Sequence, residues 1–298
     1  MSHADGEWTI VLFATRGLAA FVENALIGIE RCGINGSLVQ LVFPADAECE
    51  LGQLAKTFGA RRRILEQLVE VKAGDMPAAY VEWNTHEFNV LLKYRFPALR
   101  AILAEGNRIV YADLDVAWLH NPLFYLANVL DHYSWTCQTE PSGDFTPNFC
   151  LGFFALSGTS ESLQMIDHHI ALNEGDALNQ FLFREILVEN PWYLVNIYPL
   201  PEGLFPSGLL YRCVGTGEEP PVPLVDRLRP FIFHGNWCVG PSADCSPVPV
   251  PGSYLTTLLM LLEPSSRSEA KRHPGRDFHR PVPAFCFAQC GLRCLSAR

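Results

Sequence analysis

The sequence predicts an α/β fold: a central, mainly parallel sheet flanked by helices. Three observations carry this. Short apolar runs alternate with helix-period stripes from the first residues onward. Hydrophobic residues make up 49% of the 298-residue chain and charged residues 18%, enough for one large packed domain. A pair of carboxylates, Asp113 and Asp115, follows directly on an apolar run, and sheets of this class gather their binding sites at the carboxyl ends of strands.

Taken in order, residues 8–14 read as the first strand. Phe21, Val22, Ala25, Leu26 and Ile29 then recur at helical spacing over residues 18–29, ending near Gly33. Residues 38–43 make a second strand closed by Pro44, and residues 51–58 a second helix. Between the first strand and helix lie Ala14, Thr15, Arg16 and Gly17. Backbone N–H groups and Arg16 there can meet a nucleotide, and an ordinary strand-to-helix turn explains the same residues equally well.

Phe88, Leu91, Leu92, Arg95, Leu99, Ile102 and Leu103 form a helical stripe over residues 87–105, with a break expected near Pro97 and a stop at Gly106. The apolar run into Asp113 follows as a strand. Asn121 and Pro122 mark a boundary. Residues 134–139 and 148–156 read as strands, and Gly152 inside the second marks a place of close approach. Residues 162–172 and 177–188 read as helices. Residues 190–251 are rich in Pro and Gly, with a short strand at 231–233 leading into His234.

The net charge of −10 argues against a nucleic-acid binder. From Glu263 onward seven basic residues face three acidic ones, leaving −14 on residues 1–262. The expected division is a domain over residues 1–262 and a basic, Cys-containing, loose tail over 263–298. Cys286, Cys290 and Cys294 in that tail are four residues apart, without the tighter spacing of zinc knuckles. The other seven cysteines are scattered and read as small buried residues or free thiols. The first residues show no secretory pattern, and no apolar run reaches the ~18 residues of a bilayer span. A soluble, cytoplasmic protein is the expectation.

Two adjacent aspartates repel each other, more so when buried. On a strand they would share a face; on a frayed strand end they can converge on one ion. A hard divalent cation such as Mg²⁺ or Mn²⁺ suits them, and a solvated turn is the plainer alternative.

From Ile102 to Leu123 the chain reads Ile-Leu-Ala-Glu-Gly-Asn-Arg-Ile-Val-Tyr-Ala-Asp-Leu-Asp-Val-Ala-Trp-Leu-His-Asn-Pro-Leu. This resembles the core segment of the nucleotide-diphospho-sugar transferases, glycosyltransferases of the GT-A fold, most of all the group whose plant members make cell-wall galactosyl and xylosyl linkages. Lys93 matches a recurring lysine. Asn148 to Gly152, Leu200 to Gly208, and His234, Asn236, Trp237 and Gly240 are similar to later family segments. The resemblance spans roughly residues 8–240.

It implies a Mn²⁺ (or Mg²⁺) ion on Asp113, Asp115 and His234, a UDP-sugar as donor, and an unspecified glycan, protein or small-molecule acceptor. Thr15, Arg16, Lys93, Tyr111, Ala112, Leu114, Gly152, Asn236 and Gly240 are the implied donor contacts. Two departures stand out. Where the family often has Asp-Gln at the start of a sugar-contacting helix, this chain has Asn179 and Gln180, with Asp176 nearby as a substitute carboxylate. After Gly240 no cation follows. Alternatives are a haloacid-dehalogenase-type phosphatase with Asp113 as nucleophile, and a catalytically inactive sugar-nucleotide-binding protein.

Overall fold

The computed structural model describes residues 8–72, 74–76, 85–106, 108–140, 148–173, 179–207 and 229–235. All of them lie within one compact unit, Met1–Trp237. The elements run β1 (Trp8–Phe13), α1 (Ala19–Arg31), β2 (Val39–Phe43), α2 (Glu48–Phe58), β3 (Arg61–Ile64), α3 (Leu65–Leu68), α4 (His86–Lys93) and α5 (Arg95–Leu103). They continue with β4 (Arg108–Ala112), β5 (Val116–Trp118), α6 (Leu123–Leu130), β6 (Trp135–Glu140), β7 (Asn148–Leu156), α7 (Ser160–Leu172), α8 (Asn179–Glu189), β8 (Ile197–Leu200) and β9 (Ile232–His234).

Seven strands form one sheet in the order β3-β2-β1-β4-β7-β6-β8, and β5 pairs with β9 in a small second sheet. Pairs β1–β2, β1–β4, β2–β3 and β6–β8 are parallel; β7 runs antiparallel to both β4 and β6. Alternate side chains feed two cores, one on each face. Ile10, Leu12, Val110, Ala112, Phe153 and Ala155 join the α1–α2–α6 side, while Val11, Phe13, Ile109, Tyr111, Phe154 and Leu156 join the side of α4, α5, α7 and α8. Burial on both faces is why these strands read as continuous apolar runs rather than alternating ones.

The long helical stripe breaks at Tyr94, between α4 and α5, three residues before Pro97, so the break expected near that proline is present. Pro97 sits in the first turn of α5, where a missing N–H costs no helical hydrogen bond. Strand β3 was not expected, because Arg61, Arg62 and Arg63 carry no strand-like apolar pattern; ion pairs of Arg62 with Glu48 and Arg63 with Glu105 offset their charge at the sheet edge. Helix α6 and strand β8 were also unforeseen, the first being short and mostly apolar and the second short and Pro-bearing.

The order of strands positions the site. From β1 the chain steps outward to β2 and β3, then returns to place β4 on the other side of β1. A crevice forms outside the carboxyl ends of strands at such a switch point. Thr15 lies just past the end of β1 and Asp113 just past the end of β4.

Candidate functional site

Asp113 and Asp115 sit on the turn between β4 and β5, so the strand ends before the pair rather than carrying it. The turn is held by backbone: Asp113 N–H donates to the Gly152 carbonyl at 2.7 Å, and Val116 N–H to the Asp113 carbonyl at 3.2 Å. Antiparallel pairing of β5 with β9 sets Val116 opposite His234. Gly235 N–H then donates to the Asp115 carbonyl at 3.0 Å. One ligand-type atom each from Asp113, Asp115 and His234 lie within 4.8 Å of one another. His234 is buried, and the two carboxylate side chains are 37% and 32% exposed, so the cluster opens to solvent through the aspartates.

Gly152 makes this approach possible. A Cβ there would collide with the His234 imidazole and lie 2.7 Å from Asp113 Oδ2. Behind the pair, Tyr111 donates its hydroxyl hydrogen to Asp113 Oδ1 at 2.7 Å. Arg95, only 4% exposed, stands 3.8 Å from the same oxygen and donates to the Leu151 carbonyl at 3.2 Å. Its guanidinium also stacks near the rings of Tyr111 and Phe96, at 5.0 and 5.4 Å from their centroids.

The charges are strongly coupled. Burial pushes the Asp113 carboxyl up and the Asp115 charge adds to this; Arg95, His234 and the Tyr111 hydroxyl pull down without prevailing, so it stays above the usual carboxylate range. Burial also raises Asp115, but the charge and hydrogen bond of His234 outweigh it and hold that carboxyl low. Burial disfavours the His234 imidazolium, yet the Asp115 carboxylate 3.3 Å away keeps the imidazole well above its ordinary value. A proton on His234 and a divalent cation are two alternative answers to the same negative charge.

The other sequence-flagged residues are placed as follows. Ala112 and Leu114 are buried in the core. Thr15 is fully buried, and its hydroxyl oxygen has no hydrogen-bond partner among the described residues. Arg16 lies at the surface, 3.9 Å from Glu50. Lys93 ends α4 with its ammonium 5.8 Å from the Tyr94 ring centroid. Asn179 is buried at the start of α8: it donates to the Leu92 carbonyl at 2.9 Å and accepts from Asn173 Nδ2 at 2.9 Å. Gln180 donates to Glu140 Oε2 at 3.2 Å. Asp176, Asn236 and Gly240 lie outside the described residues, as does the tail with Cys286, Cys290 and Cys294. Cys32, Cys49, Cys137 and Cys150 are free thiols.

Sequence reasoning overlooked Arg95, Gln138 and Cys150 as site neighbours. Arg95 left a signal, a charged residue at an apolar stripe position; Cys150 left none beyond lying in an apolar strand, and Gln138 left none in its mixed strand.

The family model for nucleotide-diphospho-sugar transferases matches residues 57–243, more than half of the chain. The chain belongs to the nucleotide-diphospho-sugar transferase family. That membership decides for the transferase over the phosphatase alternative and makes the protein a glycosyltransferase. No curated protein sequence matches it. Among solved structures, the galactosyltransferase LgtC with donor and acceptor sugar analogues superposes with a TM-score of 0.53 at 14% identity, over 84% of this chain and 94% of that one. The bifunctional glycosyltransferase WbbM gives 0.53 at 12% identity, over 78% of this chain and 46% of that one. Mouse xyloside xylosyltransferase 1 gives 0.49 at 14% identity, over 77% and 98%. At these identities the likeness to LgtC and WbbM is one of fold, the GT-A glycosyltransferase fold that the sequence resemblance implied. Among the described residues, no helix of this transferase is long and apolar enough to cross a membrane.

Proposed function

We propose that this transferase moves a glycosyl group from a UDP-sugar to a glycan, protein or small-molecule acceptor, with a divalent cation held by Asp113, Asp115 and His234. The domain would extend over residues 1–262, with 263–298 as a basic tail. One observation carries the reading: three ligand-type side chains converge within 4.8 Å at the end of β4, in a family whose donors carry a diphosphate.

The donor set fits such a cation. Two carboxylate oxygens suit a hard divalent ion, and an imidazole nitrogen shifts the preference from Mg²⁺ toward Mn²⁺. Gly152 leaves the space between Asp113 and His234 that any other residue would fill. A bound cation supplies positive charge against the negative charge that develops on the departing nucleoside diphosphate. Asp113 and Asp115 hold it in place. Tyr111 and Arg95 orient Asp113 from behind and limit the repulsion between the two carboxylates.

The test is thermal stabilisation across a panel of nucleotide sugars with and without MnCl₂. The expected outcome is a rise in Tm for a UDP-sugar that needs Mn²⁺ and that Asp113→Ala abolishes. No shift with any donor and Mn²⁺ would sink the proposal; a shift without turnover would leave a sugar-nucleotide-binding protein.

A further inference from the structure

Gln138 is wholly buried on β6, at the point where the β6–β7 register shifts between Cys137 and Gln138. Its amide has two unlike ends: the nitrogen only donates and the oxygen only accepts. Nε2 lies 2.9 Å from the Phe205 carbonyl oxygen, which only accepts. That contact sets the orientation of the amide. The reversed orientation would press two carbonyl oxygens together. With Nε2 so placed, Oε1 lies 2.8 Å from His234 Nδ1. An acceptor at that distance requires a hydrogen on Nδ1. The Cys150 sulfur, at 3.5 Å from the same nitrogen, is a much weaker partner and does not compete.

We infer that Gln138 is a positioning residue: it holds the hydrogen of the neutral His234 ring on Nδ1 and so turns the Nε2 lone pair toward Asp113 and Asp115. The inference rests on the proposed cation site and adds the element that makes His234 competent in it. A ring with its hydrogen on Nε2 would present a donor to the cation and could not bind it. A hydrogen bond from Nδ1 to a carbonyl oxygen also makes Nε2 a better electron-pair donor. The chain of contacts runs from the Phe205 carbonyl through Gln138 to His234, and each link has a single chemically allowed direction.

The test uses the full chain and Mn²⁺ alone. Free Mn²⁺ is titrated by electron paramagnetic resonance, and pulsed measurements on the bound ion detect coupling to a directly ligated imidazole nitrogen. Gln138→Leu is expected to weaken Mn²⁺ binding about 10–100-fold and to lose the nitrogen coupling. Gln138→Glu keeps an acceptor at Nδ1 but loses the donor to Phe205. It is expected to retain both binding and coupling. Circular dichroism checks that each variant is folded, and Gln138→Glu keeps the question open to test should Gln138→Leu not fold. The inference is overturned if Gln138→Leu binds like the wild type with coupling intact, or if folded Gln138→Glu loses as much as Gln138→Leu. Wild-type protein that takes up no Mn²⁺ overturns the cation site itself, a result told apart by the absence of bound ion in every variant.

Discussion

The turn after β4 and the start of α8 were both singled out by sequence, and the fold treats them in opposite ways. At the turn, Asp113 and Asp115 are packed together, and their like charges are met by Arg95, Tyr111 and the His234 ring. At the start of α8, Asn179 is only 1% exposed and its amide is engaged on both ends, by the Leu92 carbonyl and the Asn173 side chain. His169 donates from Nε2 to the Asn179 carbonyl at 3.2 Å and stacks on Phe96. The first region gathers two like charges beside an imidazole, where a cation can join them; the second uses the Asn179 amide to join helices. Two carboxylates held this close repel each other, so their convergence at the turn marks the place where a ligand is expected.

Three substitutions can break or sharpen this contrast. The largest effect is expected from Gly152→Ala. Its new Cβ would push apart Asp113 and a His234 ring already pinned by Gln138. Overpacking of this kind costs about 1–3 kcal/mol, and displacing the ligands should weaken Mn²⁺ binding by roughly 100-fold. Denaturant unfolding and an Mn²⁺ titration read the two parts separately; wild-type Mn²⁺ affinity would show that the cluster is not the cation site.

Next comes the pH dependence of the α8 region. Burial lowers the His169 imidazole from 6.5 to about 4. A depressed folded-state value means the full contribution is present above pH 6.5 and is lost as the pH falls toward 4, because the unfolded chain takes up the proton first. The loss across that window is about 3 kcal/mol. Stability curves of wild type and His169→Gln between these limits should differ in slope, with the variant flatter; equal slopes would mean that His169 is not buried as a neutral ring.

The smallest effect is Asn179→Asp, which restores the carboxylate the family often has. Here it would face the Leu92 carbonyl without a hydrogen to donate, at a cost of about 2 kcal/mol. Donor turnover should not rise. A gain in turnover would move Asn179 into the active centre and erase the distinction between the two regions.

Much of the fold was legible because burial on both sheet faces leaves continuous apolar strands, and amphipathic helices leave a 3.6-residue stripe. β7, expected over residues 148–156, spans Asn148–Leu156. What escaped had its cause elsewhere: β3 is held by acidic residues on α2 and beyond α5. The Asp-x-Asp pair was visible because its two members are neighbours in sequence. The sequence alone determined the strands β1, β2, β4, β6 and β7, the helices beside them and the place of the acidic pair after β4, since these follow from local periodicity. Only the tertiary structure decided that β9 pairs with β5 to bring His234 to that turn, that Gln138 stands behind it, and that Asn179 is turned into packing. Those outcomes depend on contacts between residues far apart in the chain, whose side chains carry no local pattern that foretells their partners.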